Sequence, residues 1–255
     1  MRVLIFSCAA SVLMLLCGLH ARCQLYLGVE GGPNMNYLTT SDASEPFTKY
    51  DGMRGWNIGI PVGYRFFDWL SLQTAPTYIQ KNYDIVRTGF FTGVYQKNYN
   101  TYLQLPVTFR FSFGGKALRG FLDLGGYAAY WKSSRIQGVE SNILNEVDTV
   151  YSTVNPTSIL GENYGYSYNQ SYTFNSTKDN RFEFGLIGGL GISYELFQTY
   201  TFYLEGRYFR AMTDQEKHYE TNQAPRYNDN YGLTLGATVQ VKKIISTLFK
   251  KHSRS

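Results

Sequence analysis

Cysteine is nearly missing from this 255-residue sequence. Its three cysteines, Cys8, Cys17 and Cys23, all lie close to the N-terminus. If the segment that carries them is removed on export, the mature chain keeps no cysteine. That excludes a disulfide-stabilised scaffold, a thiol enzyme and a cysteine-ligated metal site.

Long apolar runs are also missing after Leu19. A transmembrane helix needs about 20 consecutive apolar residues, and no later segment approaches that length. The apolar segment before Leu19 follows Arg2 and leads to Ala21-Arg22-Cys23, which is typical of a secretory signal peptide over residues 1–23. An N-terminal membrane anchor is the alternative, and a lipoprotein signal fits less well because Arg22 precedes the cysteine.

Charged residues are sparse, at 17% of the sequence, and the formal net charge of +5 is concentrated at the C-terminus. Loss of Arg2 and Arg22 with the signal peptide lowers the net charge from +5 to +3. Five further cations lie in the last fourteen residues, so the body is left near −2. They are Lys242, Lys243, Lys250, Lys251 and Arg254. The basic balance therefore does not predict a nucleic-acid partner, and residues 244–255 are interpreted as a basic periplasmic tail.

Aromatic residues and glycine are plentiful, with 23 tyrosines, 17 phenylalanines and 25 glycines. They follow an alternation of period two that is clearest over residues 181–196. Every second residue from Phe182 to Leu196 is apolar or glycine, whereas the positions between them, beginning with Glu183, are mostly small or charged. This pattern predicts a strand with one apolar face. The strand is longer than the roughly 9–11 residues that a tilted strand needs to cross a bilayer.

Eight segments show this alternation, and they predict an all-β fold, an eight-stranded antiparallel up-and-down transmembrane β-barrel over residues 24–243. The predicted strands cover about 24–38, 55–66, 70–82, 99–113, 119–132, 181–196, 201–212 and 231–241. Short and long connections alternate along the chain, which is typical of outer-membrane barrels with short periplasmic turns and long external loops. The long connections lie near 39–54, 83–98, 133–180 and 213–230.

Alternation alone does not say which face is outward, and a soluble ligand-binding barrel with an apolar interior is the alternative. Three features favour lipid outside: aromatic residues at both ends of the apolar face, glycine on the polar face, and long loops at one end. The outer girdle is predicted at Trp56, Tyr130, Phe182, Tyr208 and Tyr231, and the inner girdle at Tyr64, Phe113, Tyr194 and Phe202. Because proline cannot donate to a strand ladder, bulges are expected at Pro61 and Pro106.

Four short motifs occur in this order along the chain: Leu27-Gly-Val-Glu-Gly-Gly-Pro-Asn, Leu70-Ser-Leu-Gln, Tyr102-Leu-Gln-Leu-Pro-Val and Phe202-Tyr-Leu-Glu-Gly-Arg-Tyr. With them the chain resembles the PorT-like outer-membrane β-barrel family of Bacteroidota over residues 24–241. The resemblance implies an eight-stranded, OmpA-like barrel in the outer membrane and carries over no catalytic residue. One class of this family assists the type IX secretion system. The sequence departs from the family pattern at Pro76 and in the long loop after Trp131.

Seven charged side chains point into the barrel by the same alternation. They are Glu30, Arg65, Arg110, Asp123, Glu183, Glu205 and Arg207. The interior of an eight-stranded barrel is only wide enough to be filled by side chains, and an isolated buried ion is costly. We therefore expect these charges to pair as a structural plug, with a gated polar path for small ions as the alternative.

The longest predicted loop contains a run rich in tyrosine, asparagine and serine between residues 164 and 172. Such residue types form adaptable contact surfaces, so the run is a candidate for binding a surface protein or glycan. The predicted contact residues are Tyr164, Tyr166, Tyr168 and Tyr172. An ordinary polar external loop is the alternative.

A second loop places Asp214, Glu216, His218 and Glu220 on one face of an extended hairpin, as a divalent-cation site would require. An acidic loop in solvent explains the same residues, and His218 lies too far into the loop for a lipid A-modifying hydrolase. We therefore predict no enzyme activity, no metal and no cofactor.

The sequence thus predicts a monomeric outer-membrane barrel with a structural, surface-binding or envelope-complex accessory role through its external loops. The expected partners are outer-membrane lipid and lipopolysaccharide, together with an envelope protein or a surface glycan. A narrow pore or a secretion-system subunit is the main alternative, and a lipid A-modifying enzyme is a weaker one.

Overall fold

The computed structural model describes residues 24–40, 47–141, 165–197, 199–218 and 224–241. The predicted signal peptide, the basic tail and Tyr164 lie outside the described residues. No helix in these ranges is long and apolar enough to cross a membrane.

The described residues form twelve antiparallel strands and one short 3₁₀ helix, Gly89–Phe91. The strands are β1 (Gln24–Thr40), β2 (Thr48–Gly59), β3 (Val62–Phe67), β4 (Leu70–Thr74), β5 (Thr77–Gln80), β6 (Tyr83–Arg87), β7 (Tyr95–Gly114), β8 (Leu118–Ser141), β9 (Gly165–Ser171), β10 (Phe182–Leu196), β11 (Tyr200–Ala211) and β12 (Arg226–Gln240).

These strands form a closed ring of eight, because three positions in the ring are shared by more than one strand. β2 and β3 make up the second position, and β4, β5 and β6 make up the third. In the sixth position β9 continues the line of β10 along the same edge of β8. β1 pairs with β12 from Tyr26–Gln240 to Thr40–Arg226, and this pairing closes the ring. The predicted eight-stranded up-and-down barrel is confirmed.

Alternate residues of each strand lie on opposite faces of the barrel wall. On β10, Phe184, Leu186 and Leu190 are more than half exposed, whereas Glu183 and Ile187 are buried. The other barrel strands repeat this arrangement, with exposed aliphatic and aromatic side chains outside and mostly polar side chains inside. The period-two alternation therefore places the residues on the faces that the membrane interpretation requires.

Outward aromatic rings contact one another near both ends of the apolar band. At the end that carries the long connections, the loop end, the pairs Tyr130–Phe182 and Tyr208–Tyr231 have ring centroids 5.2 and 4.8 Å apart. At the opposite, turn end, Trp69 stacks on a phenylalanine ring of β7 at 6.4 Å. Rings at both levels are typical of strands that cross a bilayer.

Of the two prolines expected to cause bulges, Pro61 interrupts its strand and Pro106 does not. At Pro61 the second barrel strand is interrupted between β2 and β3, and the Pro61 carbonyl accepts the Gly28 N–H at 2.9 Å. At Pro106 the expectation is wrong, because β7 runs through this residue without a break. The break lies in the neighbouring strand instead, at Pro76 between β4 and β5, where the Thr74 hydroxyl donates to the Pro106 carbonyl at 2.8 Å.

Two segments predicted as loops contain regular strands. β6 pairs with β2 and β7, and β8 continues to Ser141 and pairs with β9. Together, residues 48–52 of β2, β6, residues 95–98 of β7, residues 135–141 of β8 and β9 form a sheet that extends beyond the loop-end aromatic pairs. We call it the protruding sheet. Its strands carry no apolar outward face, which explains why alternation of hydrophobicity does not reveal them.

Candidate functional site

Five of the seven predicted interior charges form one connected group, which we call the central network: Glu30 on β1, Arg110 on β7, Asp123 on β8, and Glu205 and Arg207 on β11. Arg207 donates to Glu30 at 2.7 Å and to Glu205 at 2.9 Å. Arg110 donates to Asp123 at 2.7 Å and to the same Glu205 oxygen at 3.1 Å. Glu205, which is fully buried, therefore links the two arginines.

Aromatic and hydroxyl groups complete the surroundings of the central network. The Tyr203 hydroxyl donates to Glu30 at 2.5 Å. The Arg110 guanidinium lies 3.8 Å from the centroid of the Phe121 ring, which is itself edge-on to Tyr203. Since the charges, the two rings and their glycine neighbours fill the section of the barrel, the arrangement is that of a packed plug.

Close contact with glycine makes this packing possible. A Cβ atom on Gly236 would lie 2.1 Å from the Tyr203 ring, and one on Gly189 would lie 2.3 Å from Oε1 of Glu205. The glycine-rich inward face thus leaves room for large and charged side chains from the opposite wall.

Arg65 and Glu183, the other two predicted charges, lie outside the central network. Arg65 pairs with Glu195 at 3.5 Å. These two residues line a small polar cavity of about 30 Å³ together with Tyr26, Arg110 and Arg119. Glu183 belongs to a separate cluster nearer the loop end.

That cluster is built around Lys81, a fully buried residue that the sequence analysis did not single out. Its ammonium group lies 2.5 Å from Oε1 of Glu183 and 4.7 Å from the centroid of the Tyr127 ring. The Tyr127 hydroxyl donates to the same Glu183 oxygen at 2.8 Å, and Asn228 donates to the other at 2.7 Å. Alternation does contain the signal, since Lys81 is two residues after the buried Ile79.

Residues 172–181 and 212–217 fold over the loop end of the barrel above Lys81, and we call these two segments the cap. Trp131 stacks between Tyr102 and Tyr172, with centroids 5.9 and 6.0 Å away. Gln215 donates to the Tyr102 hydroxyl at 3.2 Å, and its carbonyl accepts the Asn180 N–H at 3.0 Å. The cap therefore closes the barrel above the two charged layers.

The structure separates the predicted loop tyrosines by their surroundings. Tyr166 is 63% exposed, whereas Tyr168 is buried and its hydroxyl donates to Gln96 at 2.9 Å. Tyr172 belongs to the cap, and its hydroxyl donates to Asp179 at 2.8 Å. Burial, with a smaller contribution from a nearby glutamate, raises the pKa of Tyr168 to about 12, so its phenol stays protonated and can donate.

The acidic loop uses its side chains for local hydrogen bonds. Oδ1 of Asp214 accepts the backbone N–H groups of Glu216 and Arg226, at 3.0 and 2.9 Å. The Glu216 carboxylate pairs with the Arg226 guanidinium at 2.5 Å, and His218 is exposed. Within the described ranges no three His, Cys, Asp or Glu side chains are grouped as a metal site would need, and Glu220 lies outside those ranges.

Comparison with known proteins identifies the family of this chain. Residues 21–216 match the sequence model of the family described as outer membrane protein beta-barrel domain. Similar solved structures include Neisserial surface protein A, at 14% identity, with 85% of this chain and 96% of that chain covered and a TM-score of 0.40. OprG from Pseudomonas aeruginosa is 12% identical, with 84% and 95% covered and a TM-score of 0.41. Ail of Yersinia pestis is 10% identical, with 84% and 97% covered and a TM-score of 0.37. None of the curated proteins matches the chain.

Proposed function

Because the chain belongs to the outer membrane protein beta-barrel domain family, we propose that it is a closed outer-membrane barrel that acts by contact at its loop end. The observation that carries this proposal is the protruding sheet, which extends the barrel wall beyond the loop-end aromatic pairs. The partner we propose is an envelope protein or a surface glycan.

The filled interior supports a role that needs no passage through the barrel. The central network, the Lys81–Glu183 cluster and the cap follow one another inside the barrel. Each of these layers consists of side chains that are hydrogen-bonded to one another. The surface that remains for recognition is the outside of the loop end.

The exposed side chains of β9, in the protruding sheet, support contact with a partner. On β9, Tyr166 is 63% exposed, and Ser167 and Asn169 are also exposed. Tyrosine combines a large apolar ring with a polar tip, and serine and asparagine provide adaptable hydrogen bonds. These residue types suit either a protein surface or the hydroxyl groups of a glycan.

Site-specific photo-cross-linking in intact cells tests this role. A photoreactive residue at Tyr166 is expected to form a discrete adduct with a cell-surface protein or polysaccharide. The matched control is Leu190, which is as exposed, at 64% against 63%, but lies in the lipid-facing band. A probe at Tyr166 that gives the same adducts as Leu190, or none, would count against loop-end binding.

A narrow ion path is the second candidate, and the polar cavity beside Arg65 together with the charged interior is the observation that favours it. Planar-bilayer recordings separate the two. We expect the native barrel not to conduct, and a steady conductance that changes on Arg110→Gln or Glu205→Gln would favour the path instead.

We also propose a PorT-like membership within the family, export by a cleaved signal peptide, a monomer, and no catalytic role. The PorT-like motifs contribute side chains to the barrel interior: Leu27–Asn34 contains Glu30, and Phe202–Tyr208 contains Glu205 and Arg207. These motif residues therefore contribute to the structure of the barrel, and none of them points to a role in type IX secretion.

A further inference from the structure

The lipid-facing surface of the barrel changes from neutral to charged at one level near the loop end. On the described strands, the outward residues between the two aromatic levels include no Asp, Glu, Lys, Arg or His. The first charged residues on this face are Arg54, Lys132, Arg210 and Asp229. Each lies two positions beyond an outward aromatic ring, namely Trp56, Tyr130, Tyr208 and Tyr231.

One of these four residues, Asp229, lines a groove, and Arg54 and Arg210 lie on the strands at its two sides. The strands β2, β1, β12 and β11 are consecutive neighbours, and one register row joins Arg54, Met35, Tyr231 and Tyr208. The next row outward joins Tyr37, Asp229 and Arg210. Between the two arginines lies an open groove of about 540 Å³. It is lined by Met35, Tyr37, Thr39, Asp229 and Tyr231.

The groove is apolar on the side of the membrane and polar on the side of the loops. Met35 and Tyr231 form its lower part, and the Tyr37 ring is edge-on to Tyr231 at 6.0 Å. Thr39 and Asp229 form its upper part and are hydrogen-bonded at 2.5 Å. The groove therefore offers an apolar floor at the level where aromatic girdles meet lipid headgroups.

The carboxylate in the groove has several hydrogen-bond partners, whereas the arginines beside it have few. Asp229 accepts the hydroxyls of Thr39 and Tyr208, at 2.5 and 2.9 Å, and pairs with the Arg210 guanidinium. The Arg210 side chain is still 45% exposed, and Arg54 is exposed with no ion pair among the described residues. A guanidinium carries five N–H donors in a planar fork that fits phosphate oxygens. Two arginines with unused donors therefore flank the groove.

We propose that this groove binds the phosphorylated headgroup of an outer-leaflet glycolipid. The phosphate groups lie on Arg54 and Arg210, and the start of the acyl chains lies against Met35, Tyr37 and Tyr231. Three strand spacings of about 4.8 Å separate the two arginine backbones by about 14 Å across the strands, and their positions in successive rows add an offset of about 7 Å along the strands. A disaccharide headgroup spans a distance of this order. The proposal rests on the outer-membrane location and not on a partner of the protruding sheet.

Binding to full-length barrel in nanodiscs tests the proposal. The nanodiscs contain phosphatidylcholine with increasing amounts of bis-phosphorylated lipid A, and native mass spectrometry counts the glycolipids bound. Arg54→Gln is expected to weaken binding about tenfold, the loss of one charge-assisted contact. Arg210→Gln is paired with Asp229→Asn, so that no unpaired carboxylate is left behind, and the same direction is expected.

Lys132→Gln is the matched control, because Lys132 is also a lipid-facing cation beyond the girdle but lies on β8, outside the groove. We expect its affinity for lipid A to stay within about twofold of the native protein. An equal loss in Lys132→Gln would mean attraction by surface charge in general and would overturn the groove. Unchanged affinity in Arg54→Gln would overturn it as well.

Two further arms identify the ligand. Glycolipid without phosphate loses its contacts with both arginines, so it is expected to bind the native barrel more weakly than lipid A binds the Arg54→Gln variant. Equal binding of both glycolipids to the native barrel would overturn the role of phosphate. Inorganic phosphate is expected not to compete at millimolar concentration, since it lacks the acyl chains, and full competition would mean a free-anion site instead. Variants are compared only if their unboiled gel mobility matches the native barrel, and a failed cross-link at Tyr166 leaves these results unaffected.

Discussion

At the scale of single residues, the interior charges depend on one another. Glu205 is fully buried and accepts hydrogen bonds from both Arg110 and Arg207. Removal of Arg207 would leave Glu30 without its cation, and removal of Arg110 would do the same to Asp123. A buried ion pair contributes little net stability relative to apolar packing, but half of a pair is strongly unfavourable. The central network therefore constrains which side chains can be changed singly.

Arg207→Met tests this dependence. The substitution removes the guanidinium that pairs with Glu30 and one of the two guanidinium donors of Glu205. The buried Glu30 carboxylate then keeps no cation, and we expect the free energy of unfolding to fall by about 3–5 kcal/mol. Urea unfolding in lipid vesicles, followed by tryptophan fluorescence, measures the change. Arg65→Met is the control, since Arg65 has a single longer ion pair at 3.5 Å and a side chain that is 20% exposed. An equal loss in both variants would contradict the special role of the network.

Two adjacent glycines provide a second test at this scale. A Cβ on Gly189 would lie 2.3 Å from the buried Glu205 carboxylate, whereas one on Gly188 would meet no heavy atom within 4 Å. Gly189→Ala is expected to lower the free energy of unfolding by about 1–3 kcal/mol through overpacking. Gly188→Ala should leave it unchanged or slightly raised, since glycine disfavours strands. The same urea experiment measures both, and a reversed order would show that the faces of β10 are assigned wrongly.

At the scale of strands, sequence reasoning succeeds where one face of a strand meets lipid. There, apolar side chains are confined to one face, so period-two alternation places Glu205 and Arg207 inside and Tyr208 outside. The same reasoning fails in β6, in β9 and in the outer part of β8, because both faces of the protruding sheet are free of lipid. The strands that carry the candidate contact surface were therefore predicted as loops.

Neighbouring strands decide two further details that one strand's sequence does not contain. Pro106 is accommodated by a break in the adjacent strand, between β4 and β5, so its own strand needs no bulge. Lys81 follows that break and is buried by Tyr127 and Glu183 from two other strands. These partners are distant in the chain, 32 residues apart for Thr74 and Pro106 and 102 for Lys81 and Glu183, and no local pattern records them.

The pairing of β9 leads to a prediction about pH. Tyr168 is protonated in the folded sheet, with its pKa raised from 10 to about 12 by burial. Its contribution to holding β9 on β8 is therefore complete below pH 10 and is lost as the pH rises through about 12. Proteinase K cleavage of the protruding sheet is expected to increase over this interval in the native protein.

Tyr168→Phe removes the titrating group, and cleavage in this variant is expected to depend much less on pH between 10 and 12. Tyr166→Phe, at the exposed position on the same strand, should behave like the native protein. If the native rise persists in Tyr168→Phe, another group controls the detachment of β9.

At the scale of the whole molecule, closure of the ring makes unfolding a single event. Among the described residues, the strands of the lipid-facing band are hydrogen-bonded on both sides, whereas β9, in the protruding sheet, pairs with β8 alone. Detergent therefore meets no free strand edge within the membrane band. The unboiled protein in the outer-membrane fraction is therefore expected to migrate faster on a denaturing gel than the boiled protein. A soluble protein without this shift would reverse the assignment of lipid-facing and inward faces on every strand.

Closure between β1 and β12 also has a consequence for biogenesis. The first and the last strand of the barrel are partners, so the ring is completed only after the entire polypeptide has left the cytoplasm. Until then the nascent chain carries two unprotected edges, and its final pairing joins residues as distant as Tyr26 and Gln240. Such long-range pairing is slow, and exposed edges invite aggregation. We therefore expect this polypeptide to cross the periplasm unfolded and bound to chaperones, and to close its ring only at the outer membrane.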